Sequence, residues 1–69
     1  MSVMNVRIWT LPNCPWCTKA KKLIEAQGWH YVELSQKYPH WPTVPYIQIE
    51  GEGIGGFTEL AGFLRKRIS

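Results

Sequence analysis

Cys14 and Cys17 are the two cysteines of the chain, and they stand two residues apart in Cys14-Pro15-Trp16-Cys17. A dithiol at this spacing can close into a disulfide and reopen, which is the chemistry of thiol–disulfide exchange. The attacking species in that chemistry is the thiolate. The motif follows an apolar run and precedes a helical pattern, so it is expected at a strand-to-helix junction. A helix N-terminus carries unpaired N–H groups and the positive end of the macrodipole. A thiolate placed there is stabilised, and more of the reactive form exists at neutral pH.

The same cysteines admit other chemistry. For zinc, Cys17 and His30 have a finger-like spacing with twelve residues between them, but nine residues separate His30 from His40 where a few are needed. Haem attachment needs His after the second cysteine, and Thr18 is there. A purely structural disulfide would close a very small loop and add little stability. A metal- or cluster-binding module remains the rival from another class.

The elements around the motif are readable. Val6-Arg7-Ile8-Trp9-Thr10 has the β-branched and aromatic content of a strand, and Leu11-Pro12-Asn13 breaks it. Pro15 suits the first turn of a helix, where its missing N–H would have no partner anyway. Cys17, Ala20, Leu23 and Ile24 recur at helical spacing, and Gly28 ends the helix. His30 to Leu34 reads as a second strand, parallel to the first through a right-handed crossover. Tyr46 to Ile49 is a third strand. A turn over Glu50-Gly51-Glu52 leads to a short fourth near Gly53-Ile54. Thr58 is expected to N-cap a last helix with Leu60, Phe63, Leu64 and Ile68 on one apolar face.

This order, with Cys-Pro-Trp-Cys after the first strand, resembles the thioredoxin fold and, more narrowly, the glutaredoxin family. Three motifs carry the resemblance: Cys14 to Cys17, Thr43-Val44-Pro45, and Ile54-Gly55-Gly56-Phe57-Thr58. The implied fold is α/β, β-α-β-β-β-α, on a four-stranded mixed sheet. The implied function is glutathione-dependent reduction of protein disulfides and glutathione mixed disulfides. Cys14 would be the nucleophile and Cys17 the resolving thiol. Pro45 would be a cis-proline facing the site, and Val44 would pair main chain to main chain with glutathione. Thr43, Gly56, Phe57, Thr58 and Glu59 would complete the ligand contacts, with Glu59 accepting from the glutathione amine. Trp16 stands where the family commonly has Tyr and would wall the thiol site. Glutathione is the expected reductant, and no metal is expected. Pro15 stiffens the motif against the iron–sulfur role of some glutaredoxins.

Two departures from the family pattern stand out. Between strand two and Thr43 lie only Ser35 to Pro42, eight residues with two prolines, where the family usually has a helix. An irregular loop is expected instead, with Tyr38 and Trp41 covering the exposed core. The loop needs only to cross strand one, roughly 10 Å, and eight residues reach about 26 Å. Leu11 stands where the family usually has Lys or Arg to bind the glycine carboxylate of glutathione. Lys37 is a candidate substitute. This departure favours a related reading, a thioredoxin-like donor reduced by thioredoxin reductase, for example to ribonucleotide reductase. His40 and Trp41 lie near the expected site, His40 as an exposed loop residue or an aid to proton transfer and Trp41 as loop packing or groove rim. Trp9 and Trp29 are expected to pack.

Composition bounds the rest. Sixty-nine residues are expected to form one domain over 1–69, packed largely by four Trp, three Tyr and two Phe. The net charge of +3 comes mainly from Lys19, Lys21 and Lys22 and from Arg65, Lys66 and Arg67. The second group suits a helix C-terminus. No nucleic-acid motif accompanies the charge, so a nucleic-acid partner is not expected. Neither an export signal nor a membrane span is legible, and a cytoplasmic monomer is expected. Its partners would be glutathione and disulfide-containing or glutathionylated proteins, ribonucleotide reductase among them.

Overall fold

The computed structural model describes residues 3–68, without the side chains of 67 and 68. The expected roles of the Arg67 and Ile68 side chains therefore lie outside the described residues. The elements are β1 (Asn5–Trp9), α1 (Pro15–Ala26), β2 (His30–Leu34), β3 (Tyr46–Ile49), β4 (Glu52–Gly55) and α2 (Phe57–Ile68). The strands form one mixed sheet in the order β2-β1-β3-β4. β1 pairs parallel with β2 and antiparallel with β3, and β3 pairs antiparallel with β4. This is the expected architecture.

Alternation along the strands sorts side chains between two faces. Val6 and Ile8 of β1 with Ile47 and Ile49 of β3 form one face, and Ala20, Ile24, Leu60 and Leu64 of the two helices pack onto it. Ile8, Ile24, Ile47 and Leu60 are fully buried. Each such side chain stabilises the fold by roughly 1.5–3 kcal/mol through the apolar area removed from water. Trp29 closes the far end of this core.

The opposite face carries Trp9 and Tyr46, which are paired across β1 and β3. No helix covers them. The segment 35–45 is irregular, as expected. Its Tyr38 stacks on Tyr46 at 4.2 Å and 14° and meets Trp9 edge-on at 4.9 Å. Trp41 packs on Tyr46 from 5.5 Å. Trp9 and Tyr46 are thereby buried to 8 % exposure. Farther along this face Val32 is 59 % exposed, so the aromatic cover reaches only the end nearer the cysteines.

Element boundaries correct three sequence expectations. β1 starts at Asn5 and ends at Trp9, although Thr10 still donates its N–H to the Leu34 carbonyl. Glu52 belongs to β4, because the hairpin turns within Glu50 and Gly51, both at positive φ (54° and 80°). Positive φ at both central residues is the pattern of a type I′ turn, whose twist matches the flanking strands. α2 starts at Phe57, so Thr58 lies inside its first turn and is not the N-cap. The physical reason is Glu59, whose Oε1 accepts the Gly56 N–H at 2.9 Å. That contact closes the helix start over Gly56, as the acidic half of a capping box does.

Candidate active site

Asn13 prepares the nucleophile position. Its φ of 60° turns the chain sharply before α1, a conformation Asn tolerates better than most residues. Cys14 follows in an extended conformation as the N-cap of α1, with Pro15 in the first turn. The Cys14 Sγ accepts the Cys17 N–H at 3.1 Å. When the disulfide opens, a thiolate at Cys14 has a backbone donor and the positive end of the helix dipole beside it.

Cys14 and Cys17 are joined in a disulfide with their Cα atoms 5.2 Å apart. The two sulfurs differ in access. Cys14 is half-buried, whereas Cys17 is 2 % exposed within the packed face of α1. This asymmetry suits an outer sulfur that meets substrate and an inner one that resolves.

One groove collects Trp16, Thr43, Val44, Pro45, Gly56, Phe57, Thr58 and Glu59, but not the candidate Lys37. One wall is Trp16 of α1 with Phe57, whose rings lie 5.4 Å apart. The floor is Thr43, Val44 and Pro45, and the Val44–Pro45 peptide is cis, as expected. The far side is Gly56, Thr58 and Glu59 at the start of α2. Trp16 is 53 % exposed, and the Lys19 ammonium sits 4.5 Å above its ring.

Trp41 also lines this groove while packing on Tyr46, so the two sequence readings of this residue hold together. Its Nε1 is buried without a hydrogen-bond partner. Nothing in the spacing of the chain singled out Trp41 as groove wall. The signal was its closeness to Thr43-Val44-Pro45. Lys37 and His40 are exposed and line neither this groove nor the one that the two cysteines line. Leu11 is 41 % exposed beside the cysteines.

Gly55 is required where it stands. Its φ is 123°, and an added Cβ would lie 2.8 Å from Cγ and 2.9 Å from Cβ of Glu59. The absence of a side chain lets β4 pass directly under the first turn of α2, and so brings Gly56 up to the groove.

The second groove is lined by Cys14 and Cys17 together with Thr10, Lys21 and Glu33. Glu33 Oε2 accepts from the Thr10 hydroxyl at 2.7 Å and from Lys21 Nζ at 3.2 Å. These partners hold the Glu33 carboxyl below the usual carboxylate range, the Thr10 hydrogen bond contributing most. Tyr31, beyond Glu33 on β2, is pushed up chiefly by burial and then by its hydrogen bond to Glu25. Among the described residues no cluster of three or more His, Cys, Asp or Glu could hold a metal ion. No helix among them is long and apolar enough to cross a membrane.

Residues 6–35 match the family model described as glutaredoxin. The chain is 34 % identical over 67 residues to glutaredoxin 3 of Escherichia coli strain K12, covering 81 % of each chain. The crystal structure of glutaredoxin 1 from Francisella tularensis, complexed with cacodylate, superposes with a TM-score of 0.81 at 31 % identity, over 96 % of this chain and 98 % of that one. A buckwheat glutaredoxin–glutathione complex gives the same TM-score at 22 % identity, over 93 % and 71 %, a likeness of fold alone.

Proposed function

Since this chain belongs to the glutaredoxin family and is a disulfide oxidoreductase, we propose that it reduces glutathione mixed disulfides and protein disulfides with glutathione as its reductant. The observation that carries this reading is the groove walled by Trp16 of the Cys14-Pro15-Trp16-Cys17 motif, the two cysteines themselves lining the second groove. The Trp16 groove joins the Val44 backbone, the start of α2 and the Trp16 wall in one depression. An extended tripeptide with an anionic end fits such a site: its main chain pairs along Val44, and its carboxylate meets the N-terminus of α2. The buckwheat relative of the same fold was solved with glutathione, which agrees with this choice of ligand.

The chemistry is a sequence of thiolate displacements. With a glutathionylated protein, the Cys14 thiolate attacks the glutathione sulfur. A Cys14–glutathione disulfide forms, and the protein thiolate leaves and takes a proton. A second glutathione thiolate then attacks that mixed disulfide, giving glutathione disulfide and the Cys14 thiolate. With a protein disulfide, Cys14 first bonds to one substrate sulfur. Cys17 then loses its proton and attacks the Cys14 sulfur, releasing the reduced substrate and leaving the Cys14–Cys17 disulfide. Two glutathiones restore the dithiol and leave as one glutathione disulfide. The setting proposed is a reducing cytoplasm, with the chain acting as a monomer on disulfide or glutathionylated proteins, ribonucleotide reductase among them.

Leu11 favours a second reading. The exposed leucine stands where the family pattern places a cation for the glutathione glycine carboxylate. A dithiol reduced by thioredoxin reductase would not need that cation. The deciding experiment is turnover of a glutathione mixed disulfide by the wild-type chain with glutathione, glutathione reductase and NADPH. Sustained NADPH consumption supports glutathione dependence. No turnover, with protein disulfides still reduced from thioredoxin reductase, replaces it with the second reading.

A further inference from the structure

We propose that Lys21 and Glu33 are positioning residues that set, by opposed charges, how readily the Cys14–Cys17 disulfide is reduced. This goes beyond the choice of substrate and rests on the Proposed function only in taking the disulfide as the redox centre. The pair lies in the second groove, and both cysteines and Leu11 line that groove with it.

The placement follows from the chain. Lys21 is four residues after Cys17 on α1, one turn along the same face. Glu33 pairs with Ile8 in the parallel β1–β2 register, so it points to the helix-covered face of the sheet. On an interior strand that position would be core. β2 is an edge, and the carboxylate there meets Lys21 from the helix above. Thr10, 3 % exposed, donates its hydroxyl to the same Oε2 that Lys21 contacts. The carboxylate is thus fixed from below and the ammonium is held in the groove, with side-chain exposures of 36 % and 26 %.

Reduction of the disulfide creates charge beside this pair. Two glutathione thiols give two electrons and leave as one glutathione disulfide. The Cys14–Cys17 bond breaks, Cys14 becomes a thiolate, Cys17 keeps one proton, and the other proton goes to solvent. An ammonium nearby favours the thiolate product, and a carboxylate opposes it. Among the described residues, the charged side chains lining the cysteine groove are Lys21 from α1 and Glu33 from β2, Glu59 from α2 lines the Trp16 groove, and β1, β3 and β4 supply none. Lys19 of α1 is engaged over Trp16. Glu59 is tied to Gly56. Lys21 and Glu33 are therefore the two groups placed to act in opposite senses from one side.

The test is the equilibrium of the disulfide with a dithiothreitol redox buffer, read by mass shift after thiol alkylation. This buffer needs no glutathione site, so a failure of glutathione turnover leaves the measurement intact. Lys21→Met is expected to lower the equilibrium constant for reduction about three- to tenfold. Glu33→Gln is expected to raise it by a similar factor, and the double variant to return near wild type. A tenfold change is about 30 mV for this two-electron couple. The shifts shrink in 1 M salt, as exposed charges are screened. If Lys21→Met does not fold, Lys21→Arg and Lys21→Gln replace it: the first stays at the wild-type value and the second shifts. Single variants that move the constant in the same direction, or leave it unchanged, overturn the proposal and leave the pair a surface ion pair.

Discussion

The Cys14 sulfur accepts the backbone N–H of Cys17 at 3.1 Å, so the two cysteines are linked by a hydrogen bond as well as by covalent chemistry. The bond comes from the chain's entry into α1. Cys14 is the N-cap, and the orphan N–H it satisfies belongs to its own redox partner. Opening the disulfide leaves that donor facing Cys14.

The first prediction follows from this asymmetry. Cys14→Ser loses all turnover of both mixed disulfides and protein disulfides. Cys17→Ser retains turnover of glutathione mixed disulfides but accumulates covalent adducts with protein disulfides. Mass spectrometry of the quenched reactions reads both outcomes. An active Cys14→Ser enzyme would contradict the assignment of the outer sulfur.

Gly55→Ala is expected to destabilise the fold by about 1–3 kcal/mol, because alanine is strained at positive φ and its Cβ would press on Glu59. Urea unfolding measures the loss. The same variant raises the KM for a glutathione mixed disulfide, since the start of α2 must shift to admit the methyl group. An unchanged midpoint and KM would show that the strand and helix can separate freely.

Tyr38→Ala removes the ring stacked on Tyr46 and exposes Trp9. A stability loss of about 1–3 kcal/mol is expected from lost area and ring contact. Because Tyr38 is outside both grooves at the cysteines, the kcat of the folded variant should remain within about twofold of wild type. Thermal unfolding and steady-state kinetics together separate the two effects.

Leu11→Lys places a cation beside Cys14 on an exposed backbone position. Under glutathione dependence its KM for a glutathione mixed disulfide falls about two- to fivefold, a surface ion pair's worth, and the gain fades at high salt. An unchanged KM at low salt argues that the ligand carboxylate lies elsewhere.

The Glu33 carboxyl is lower in the folded chain than its ordinary value of 4.5, through the Thr10 and Lys21 hydrogen bonds. A depressed carboxylate contributes stability that is full above the unfolded value and is lost as pH falls through the folded one. Acid unfolding of Glu33→Gln should therefore be less steep below about pH 4.5 than that of wild type, with the two curves parallel at neutral pH. Identical acid limbs would mean that the network does not hold in solution.

Much of the site could be read before the fold because it is written in short contiguous segments. Cys14 to Cys17, Thr43 to Pro45 and Gly56 to Glu59 each carry their own backbone constraint, and the sheet brings the three together. The cap of α2 differs from the sequence expectation for a local reason. Thr58 is a good capping residue, but Glu59 reaching back to Gly56 moves the helix start two residues earlier. Lys21 with Glu33 was illegible because the contact depends on which face of an edge strand meets α1. That is decided by the parallel register and not by either residue's neighbours. Trp41 was legible as loop packing or groove rim from its closeness to Thr43-Val44-Pro45, and the way the irregular segment lies against Tyr46 lets it be both.

The connection over residues 35–45 also changes what folding demands of the chain. The segment joins β2 to β3, which flank β1 in the sheet, and tying off a shorter loop costs less conformational entropy. The dependence is logarithmic: doubling a flexible connection adds only about 0.6 kcal/mol. The chain therefore gains little by brevity itself. It depends instead on Tyr38 and Trp41 to seal the sheet end beside the cysteines. A graft that lengthened the segment elsewhere but kept those two rings on Tyr46 would be tolerated, which makes this span the natural place to append a partner-recognition peptide next to the redox centre.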